Sequence, residues 1–281
     1  MNWGHLARLL AGPGKAALSA FGLFCIFYVL EWFTRSRRSQ YGSRNFLHDL
    51  MFWMYYNSGL HRIIFNTALF SLLAPHLAFL NPGLLVGLPT LARYVVYTVV
   101  TDFLQYWLHR LQHGSRFMWA FHTVHHSQEH LSFSTLARMH PLELFVSDLV
   151  FLVSLTALGA PPHMWGPIYW VWEFLNSAQH TELPWRYGPL YRVFVSPAFH
   201  SFHHSIRAEH RDKNFGGILS IWDFIFGTAV DEKERCGLYG LTDVKMPTLA
   251  STFIVPFQLV YRTYFSRPKE ETQRAATTAS P

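Results

Sequence analysis

Residues 102–126 read DFLQYWLHRLQHGSRFMWAFHTVHH, and this stretch decides how the rest of the chain is interpreted. His109 and His113 are four residues apart, so on a helix both imidazoles leave the same face, one turn apart. His122, His125 and His126 follow at spacings of three and four, which again predict one side of a helix. The stretch therefore predicts two consecutive helices that each present a histidine cluster.

A third histidine cluster lies further along the chain, where residues 200–204 read HSFHH. It repeats the H-x-x-H-H spacing of residues 122–126. With 17 histidines in 281 residues, a given pattern of this kind is expected by chance on the order of 0.06 times, counted as a template match. A lone histidine in apolar surroundings is more often a satisfied core residue. That interpretation fails for clusters that recur.

Clustered neutral imidazoles are typical ligands of iron, zinc, copper or nickel, whereas carboxylate-rich sites favour magnesium, calcium or manganese. The histidines of the three clusters are too many for one ion, so they predict a pair of metal ions. No cysteine lies near the clusters, which disfavours a structural zinc site of the thiolate type. Two iron ions are favoured, because two zinc ions could not supply the electrons that O₂ chemistry needs.

The composition predicts a membrane protein. Half of the residues are hydrophobic and 14% are charged, against about 25% charged residues in a typical soluble domain. Five apolar segments are visible, at residues 18–33, 63–80, 84–107, 142–160 and 164–178. The middle three have the length of about 20 residues that crosses a bilayer. Two uncharged turns, at residues 81–83 and 161–163, predict helical hairpins.

The charge distribution predicts an orientation. The formal net charge is +6, and the basic residues lie mostly beside the apolar segments, as juxtamembrane anchors do. The sequence contains no run of basic residues interleaved with aromatic residues, so it does not indicate a nucleic-acid partner. Basic residues follow the first, third and fifth segments, and the hairpin turns have none, so the positive-inside rule predicts that all histidine clusters are cytoplasmic. The fold class is accordingly predicted as all-α, a multi-span transmembrane helical bundle with a cytosolic histidine-rich helical cap that holds two metal ions.

The order H-x-x-x-H, H-x-x-H-H, H-x-x-H-H resembles the fatty acid hydroxylase / sterol desaturase superfamily of membrane di-iron oxygenases. The resemblance covers residues 102–228 and includes RMHPLE at 138–143, NFGG at 214–217 and IWDFIFGT at 221–228. It implies eight metal ligands, namely His109, His113, His122, His125, His126, His200, His203 and His204. It also implies His180 as a further ligand, with Asn176 at the position where some relatives have another histidine.

Six residues are expected beside the ligands: Asp102, Tyr106, His140, Glu173, Asn176 and Asp223. Asp102 continues the helical stripe of His109, and a carboxylate there could accept the free ring N–H of a ligating histidine. Glu173 lies seven residues before His180 on the same helical face, and a carboxylate inside a membrane segment is a functional candidate. For His140, which precedes a proline, two interpretations stay open: a residue beside the site, or the start of a helix.

The resemblance implies an oxidoreductase that uses two non-haem iron ions and O₂ to hydroxylate or desaturate a fatty acyl, sterol or related lipid. It also implies a separate electron donor, ferredoxin-like or cytochrome-type with its reductase, because the sequence has no recognisable dinucleotide fingerprint or haem-binding domain. The chain is expected to comprise an anchor helix and basic linker (1–60), a membrane di-iron hydroxylase domain (61–265) and a disordered tail (266–281).

Two other functional classes stay open from the residues alone. One is a histidine-rich membrane protein that binds or transports metal without oxygenase activity. Transport sites usually lie near the bilayer midplane between broken helices, whereas these clusters follow the apolar segments, which favours a fixed site at one face. The other is a membrane haem protein, which adjacent histidine pairs fit poorly.

Overall fold

The computed structural model describes residues 3–34, 41–57, 61, 72–73, 75–77, 83, 85–231 and 234–266, with only the backbone for 3–17 and 162. This part of the chain is helical and contains no sheet; one isolated bridge joins Ser205 and Tyr239. The all-α prediction is therefore confirmed for the described residues. The helices with described bounds are α1 (Trp3–Phe33), α2 (Arg44–Asn57), α3 (Thr90–Gly114), α4 (Arg116–His126), α5 (Pro141–Ala157), α6 (Pro162–Gln179), α7 (Pro197–His203), α8 (Ile221–Ile225) and α9 (Leu249–Tyr264).

The end of α3 and the start of α4 form a corner of the molecule. The third apolar segment was expected to begin at residue 84, but residues 85–88 form turns and the helix starts only after Pro89. It then continues past residue 107 to Gly114, so both histidines of the first cluster lie on α3. Ser115 leaves the helical conformation, and its hydroxyl accepts a hydrogen bond from the Met118 N–H at 3.4 Å, which starts α4. The first two histidine clusters therefore lie on two helices that meet end to end.

The turn predicted near residues 161–163 corresponds to a short connection between two helices, because α5 ends at Ala157 and α6 begins at Pro162. Proline at the first helical position costs no hydrogen bond and presets the backbone, and both helices start this way. The other predicted hairpin at 81–83, the apolar segment 63–80, the 35–40 part of the basic linker and the tail beyond 266 lie largely outside the described residues.

Within the described residues, none of the helices combines the length and the apolar character that crossing a membrane requires. Four of the predicted apolar segments are nonetheless helical in full or in large part, in α1, α3, α5 and α6.

A buried ion pair joins the N-terminal helices to the histidine-bearing helix α4. Arg138 and Asp49 are fully buried, and the guanidinium Nη1 donates to Asp49 Oδ1 at 2.8 Å. Arg138 Nε also donates to the Ser127 hydroxyl at 3.0 Å and the Val124 carbonyl at 3.2 Å, at the end of α4. Gln128 and Thr135 donate to the other Asp49 oxygen. This network fixes the end of α4 against α2.

Candidate metal centre

The nine histidines predicted as ligands lie in two compact groups. The ring nitrogens available as ligands lie within 4.8 Å of one another in each group. The five-histidine group comprises His109, His113, His122, His126 and His203, and the four-histidine group comprises His125, His180, His200 and His204. The two groups are adjacent, since the rings of His126 and His204 are 4.7 Å apart. The structure thus brings all nine residues together; that they bind metal stays a prediction.

The H-x-x-H-H spacing divides each helix between the two groups. On α4, His122 and His126 belong to the five-histidine group and His125 to the four-histidine group. At α7 the assignment is exchanged, with His203 in the five-histidine group and the first and last histidines of the cluster in the other. The first and last histidines of H-x-x-H-H are four residues apart and lie on nearly the same side of a helix. The middle histidine is rotated away from them. Each cluster therefore serves two neighbouring sites.

The spacing of the ring nitrogens fits metal ligation. His109 and His126 each place Nε2 at 3.1 Å from His122 Nε2. In the other group, His180 Nε2 lies 3.1 Å from His125 Nε2 and 3.0 Å from His200 Nε2. Two imidazole nitrogens at right angles around one ion, each about 2.1 Å from it, would be roughly 3.0 Å apart.

Several buried ring nitrogens have no hydrogen-bond partner among the described residues. Nε2 of His113 and Nε2 of His203, both in the five-histidine group, are two of them. Unsatisfied buried polar atoms are costly and rare, so they indicate a ligand. An all-imidazole donor set is one that transition metals favour. The residues therefore fit a pair of transition-metal ions such as iron.

A short loop orients three histidines of the five-histidine group. We call residues 212–219 the acceptor loop. His203 Nδ1 donates to the Lys213 carbonyl and His109 Nδ1 to the Phe215 carbonyl, both at 2.9 Å. His113 Nδ1 lies 3.2 Å from an Asp212 carboxylate oxygen. A hydrogen bond at Nδ1 fixes the tautomer that leaves Nε2 bare for a metal.

Two buried aspartates hold the acceptor loop. Asp223 accepts from the N–H groups of Phe215 and Gly216, both at 2.8 Å. Asp102 accepts from the N–H groups of Ile218 at 2.7 Å and Leu219 at 3.0 Å, and from Trp222 Nε1 at 2.8 Å. The expectation that Asp102 accepts a histidine ring N–H was therefore wrong. Asp102 and His109 are seven positions apart, which is about 10 Å along the helix. The Asp102 carboxylate is therefore too far from the His109 ring and accepts hydrogen bonds from the acceptor loop instead.

Glycine is required where the acceptor loop passes α3 and α6. A Cβ at Gly217 would lie 2.8 Å from Trp172 Cη2 and 3.1 Å from Asp102 Oδ1. A Cβ at Gly216 would lie 2.7 Å from the Leu219 carbonyl oxygen. The NFGG motif is thus explained by close packing of the loop backbone on its supports.

Glu143 orients a ligand and was missed as a site residue from the sequence. Its Oε1 lies 2.5 Å from His122 Nδ1 and accepts from Gln112 Nε2 at 3.4 Å. Both the histidine and the carboxylate are buried. The available signal was its place in the RMHPLE motif, three residues after His140.

The remaining expected neighbours have different roles. Asn176 contributes its backbone carbonyl, which accepts from His180 Nδ1 at 2.7 Å. His140 is the N-cap of α5, because its Nδ1 accepts from the Leu142 N–H at 3.2 Å, so the helix-start interpretation holds. Tyr106 bonds through its hydroxyl to Thr228 at 2.9 Å and does not contact a ligand nitrogen by hydrogen bond.

Burial favours the neutral form of eight of the nine clustered imidazoles. Loss of hydration lowers the pKa of His180 to about 4 and that of His203 to about 3. The same cause, followed by repulsion from neighbouring histidines, lowers the pKa well below its ordinary value at His109, His113, His125, His126, His200 and His204. Neutral imidazole is the form that binds metal.

A cavity of about 180 Å³ opens onto both histidine groups. His122 of one group and His125, His180 and His200 of the other lie on its wall. Glu173, expected beside the ligands, lies further along this cavity and accepts from Asn57 Nδ2 at 3.1 Å. A separate, more polar cleft of about 250 Å³ also reaches the five-histidine group.

Comparison with known proteins places residues 94–228 in a match to the family described as fatty acid hydroxylase. All nine clustered histidines and the acceptor loop lie inside this range. The resemblance expected from the sequence motifs is therefore confirmed at superfamily level.

Individual relatives match over about half of the chain. Human alkylglycerol monooxygenase is 37% identical over 147 residues, which are 50% of this chain and 31% of that protein. Ornithine lipid hydroxylase OlsE of Rhizobium tropici is 32% identical over 140 residues, 50% of this chain and 42% of that protein. Methylsterol monooxygenase 1-3 of Arabidopsis thaliana is 26% identical over 161 residues, 52% and 53% of the two chains. No solved structure matches the chain at a significant level.

Proposed function

Because residues 94–228 match the fatty acid hydroxylase family, we propose that this chain is a membrane-bound non-haem di-iron oxidoreductase that uses O₂ to hydroxylate or desaturate a lipid. The observation that carries the proposal is the convergence of nine histidines into two adjacent groups. The names of the relatives, which include monooxygenases and lipid hydroxylases, support the same reaction class.

In this proposal each histidine group holds one iron ion. When reduced, the pair would supply the electrons that activate O₂ for attack on an unactivated C–H bond. The protein contributes geometry: the acceptor loop, Glu143 and the Asn176 carbonyl orient five ligand rings through their Nδ1 atoms. Rings fixed in this way keep their bare nitrogens aimed at the ion without reorganisation.

The mostly apolar cavity has two tasks in the reaction. It admits a lipid between α5 and α6 to the histidine groups, and it excludes water from the reacting carbon. Met139, Leu144 and Phe151 provide apolar wall.

Electrons are proposed to come from a separate ferredoxin-like or cytochrome-type donor with its reductase. The polar cleft supports this proposal, since it is separate from the lipid cavity and its wall includes His113, His126 and His203 as well as exposed residues such as Arg207. Trp119 lies in this cleft with its ring 4.8 Å from that of His113.

We propose that the chain is an integral, multi-pass membrane protein whose histidine groups are cytoplasmic. Large apolar side chains exposed on α1 support membrane attachment, including Leu18, Phe21 and Phe33. Cysteines introduced into a Cys25→Ser, Cys236→Ser background test the orientation. The exposed Arg207 position should react with an impermeant maleimide only after the cytoplasmic side is opened. Labelling from the opposite side would contradict the proposed orientation.

Metal analysis and lipid analysis together test the function. Protein purified with iron should contain two non-haem iron ions per chain, and His125→Ala should lower this content and abolish O₂-dependent oxidation of cellular lipids. His163→Ala is the matched control, because His163 is exposed and outside both groups. About one labile ion with an unchanged lipid profile would indicate metal binding or transport instead. A Soret band would indicate haem.

A further inference from the structure

The far end of the acceptor loop lies on the bilayer side of the metal centre in the proposed membrane orientation. Its residues Ile218 and Leu219 donate to Asp102, which precedes His109 by seven positions in α3. Seven positions correspond to about 10 Å along the helix, and the apolar segment 84–107 lies in this direction from His109. The chain that leaves the loop is therefore level with the end of this apolar segment.

Helix α8, which follows the acceptor loop, packs on the same end of the apolar segment. The Trp222 ring lies 5.0 Å from the Phe103 ring, and the Phe226 ring lies 5.0 Å from the Trp107 ring. Ile225 is 60% exposed, and Trp107 and Phe226 are exposed as well. Exposed apolar side chains together with a tryptophan at the end of a membrane segment are typical of the water–lipid interface.

A neighbouring segment extends this apolar surface. Leu190, Val193 and Phe194 are exposed, and Tyr191 of the same segment packs on Phe224 of α8 with a ring distance of 5.8 Å. Exposed apolar side chains on neighbouring segments indicate an interaction site rather than ordinary surface. We call the exposed side chains of Leu190, Val193, Phe194, Ile225 and Phe226 the apolar patch.

Two arginines beside the apolar patch favour a partner with phosphate groups. The Arg110 guanidinium lies 4.9 Å from the centre of the Trp107 ring. The exposed Arg192 guanidinium lies 5.8 Å from the centre of the Phe224 ring, and Asp231 is its acidic neighbour. An arginine in such a place packs its stem on apolar surface and keeps its charge at the headgroups. The cytoplasmic leaflet is rich in anionic phospholipid, which attracts basic residues near the surface.

The apolar patch is connected to the acceptor loop by hydrogen bonds. The Val195 N–H donates to the Ile218 carbonyl at 2.9 Å, and the Ser220 N–H donates to the Val193 carbonyl at 3.0 Å. The Ser220 hydroxyl also donates to the Tyr191 carbonyl at 2.6 Å. The segment that exposes apolar side chains is therefore bonded directly to the loop that orients three rings of the five-histidine group.

On the premise of the proposed function, we propose that the apolar patch lies in the interface of an anionic bilayer, with Arg110 and Arg192 at phospholipid phosphates. The acceptor loop then lies between the bilayer and the five-histidine group. A partner that binds only the ordered form of a segment stabilises that form. Contact with the bilayer therefore stabilises the loop, and retention of metal in the five-histidine group depends on the lipid surface.

Spin labels on the full chain test the position of the apolar patch. Ile225→Cys, in the Cys25→Ser, Cys236→Ser background, is labelled with a nitroxide and reconstituted in nanodiscs of phosphatidylcholine and phosphatidylglycerol. Dioxygen concentrates in the bilayer and a neutral nickel chelate stays in water, so the ratio of their collision rates with the label measures its depth. Val95→Cys on α3 is the bilayer reference. Leu238→Cys is the matched control, because Leu238 is exposed to a similar extent but bonds to Ile206 at the polar cleft.

We expect the labels at positions 225 and 95 to favour dioxygen and the label at position 238 to favour the nickel chelate. If the label at 225 behaves like that at 238 while the label at 95 favours dioxygen, only the inference fails. If the label at 95 favours the nickel chelate, the proposed membrane function fails and the inference fails with it. Shielding of the label at 225 from both reagents, with spin–spin broadening, would show that a second copy covers the patch and would overturn the inference.

Dissociation of metal tests the connection to the metal centre without any turnover. Cobalt-loaded protein is mixed with a chelator in nanodiscs with or without phosphatidylglycerol. One basic residue at an anionic surface contributes roughly a five-fold change in an equilibrium constant. We therefore expect one of the two ions to dissociate up to about five-fold more slowly when phosphatidylglycerol is present.

Two variants assign this lipid effect to the apolar patch. Arg192→Gln should reduce the difference between the two kinds of nanodisc. Lys245→Gln should preserve it, because Lys245 is an exposed cation that pairs with Glu129. Equal dissociation rates in both kinds of nanodisc would overturn the connection between bilayer and metal centre, and so would an unchanged lipid effect in Arg192→Gln.

Discussion

Replacement of Asp102 by asparagine tests whether the acceptor loop controls the metal centre. The carboxylate is fully buried and accepts three hydrogen bonds, two from loop N–H groups and one from the Trp222 indole. Asparagine has the same shape but only one acceptor oxygen. Its best orientation keeps the two bonds made by Oδ2 and turns its NH₂ group toward the Ile218 N–H.

The expected loss can be worked out from these contacts. One hydrogen bond to a charged group contributes about 1.5–3 kcal/mol, and the donor left unpaired in the interior costs about 1–3 kcal/mol. These two figures overlap, so we expect Asp102→Asn to lower the free energy of unfolding by about 2–4 kcal/mol. The loop also orients His109, His113 and His203, and loss of such support typically weakens metal affinity about 10–100-fold.

The effect should be confined to one of the two sites. The acceptor loop bonds to rings of the five-histidine group, whereas His180 of the other group is oriented by Asn176. During dialysis against a weak chelator, Asp102→Asn should therefore fall from two bound ions toward one, while the wild-type protein keeps both. Asp243→Asn, an exposed control, should behave like the wild type.

Urea unfolding and metal analysis of the same samples check both parts of this prediction. Two tightly bound ions together with wild-type unfolding in Asp102→Asn would refute the role of the loop. The spectrum of the cobalt-substituted protein monitors metal loss from each site. Equal loss from both sites would refute the prediction that the effect of Asp102→Asn is confined to the five-histidine group.

Three further changes have expected outcomes. Asp49→Ala leaves the buried Arg138 without its carboxylate, so it should lower the free energy of unfolding in urea by about 3–5 kcal/mol. Lys245→Ala breaks an exposed ion pair and should lower it by less than about 1 kcal/mol. Similar losses in both variants would contradict this prediction. Gly217→Ala places a Cβ 2.8 Å from Trp172 Cη2, so it should lower the free energy of unfolding by about 1–3 kcal/mol and cause loss of metal. Gly237→Ala has open space around the new Cβ and should change neither quantity. In the chelated protein, unfolded His180 takes up a proton below pH 6.5 but the folded residue does so only near pH 4. This residue alone should therefore lower the free energy of unfolding by about 3 kcal/mol across that window, and the other histidines with a lowered pKa should add to the loss. Stability that is flat as the pH falls would exclude a neutral buried imidazole.

The acid sensitivity has a counterpart in metal binding. Protons compete with metal for the same nitrogens, so the ions should be released as the pH falls. The sign is the same for both effects, because each depends on imidazoles that the fold keeps neutral.

The sequence predicted which histidines cluster, because a helix converts spacing into direction. Histidines three and four residues apart must lie on one side of a helix wherever that helix is placed. Eight of the nine histidines that converge in the structure were inferred from this spacing, and His180 was inferred from the family resemblance. The helical class followed from the apolar segments and is confirmed for the described residues.

The sequence could not assign the histidines to two groups. Within H-x-x-H-H the three rings diverge, and the choice of partner depends on how α4 and α7 approach each other. The middle histidine of each cluster, His125 on α4 and His203 on α7, joins the group that the other two histidines of its cluster do not join. Helix packing decides this assignment. Likewise, His140 could be judged only once its ring nitrogen was seen to cap α5.

The supporting contacts were decided by the tertiary structure alone. Every residue has a backbone carbonyl, so nothing in the letters distinguishes Lys213, Phe215 and Asn176 as the residues whose carbonyls orient ligand rings. Asp102 was misassigned for the same reason: its helical face was correctly predicted, but the loop that covers that face is 116 residues away in the chain. The sequence by itself determined which side chains have metal chemistry and how each helix presents them. Only the folded chain determined which groups meet, because long-range contacts depend on packing and not on local spacing.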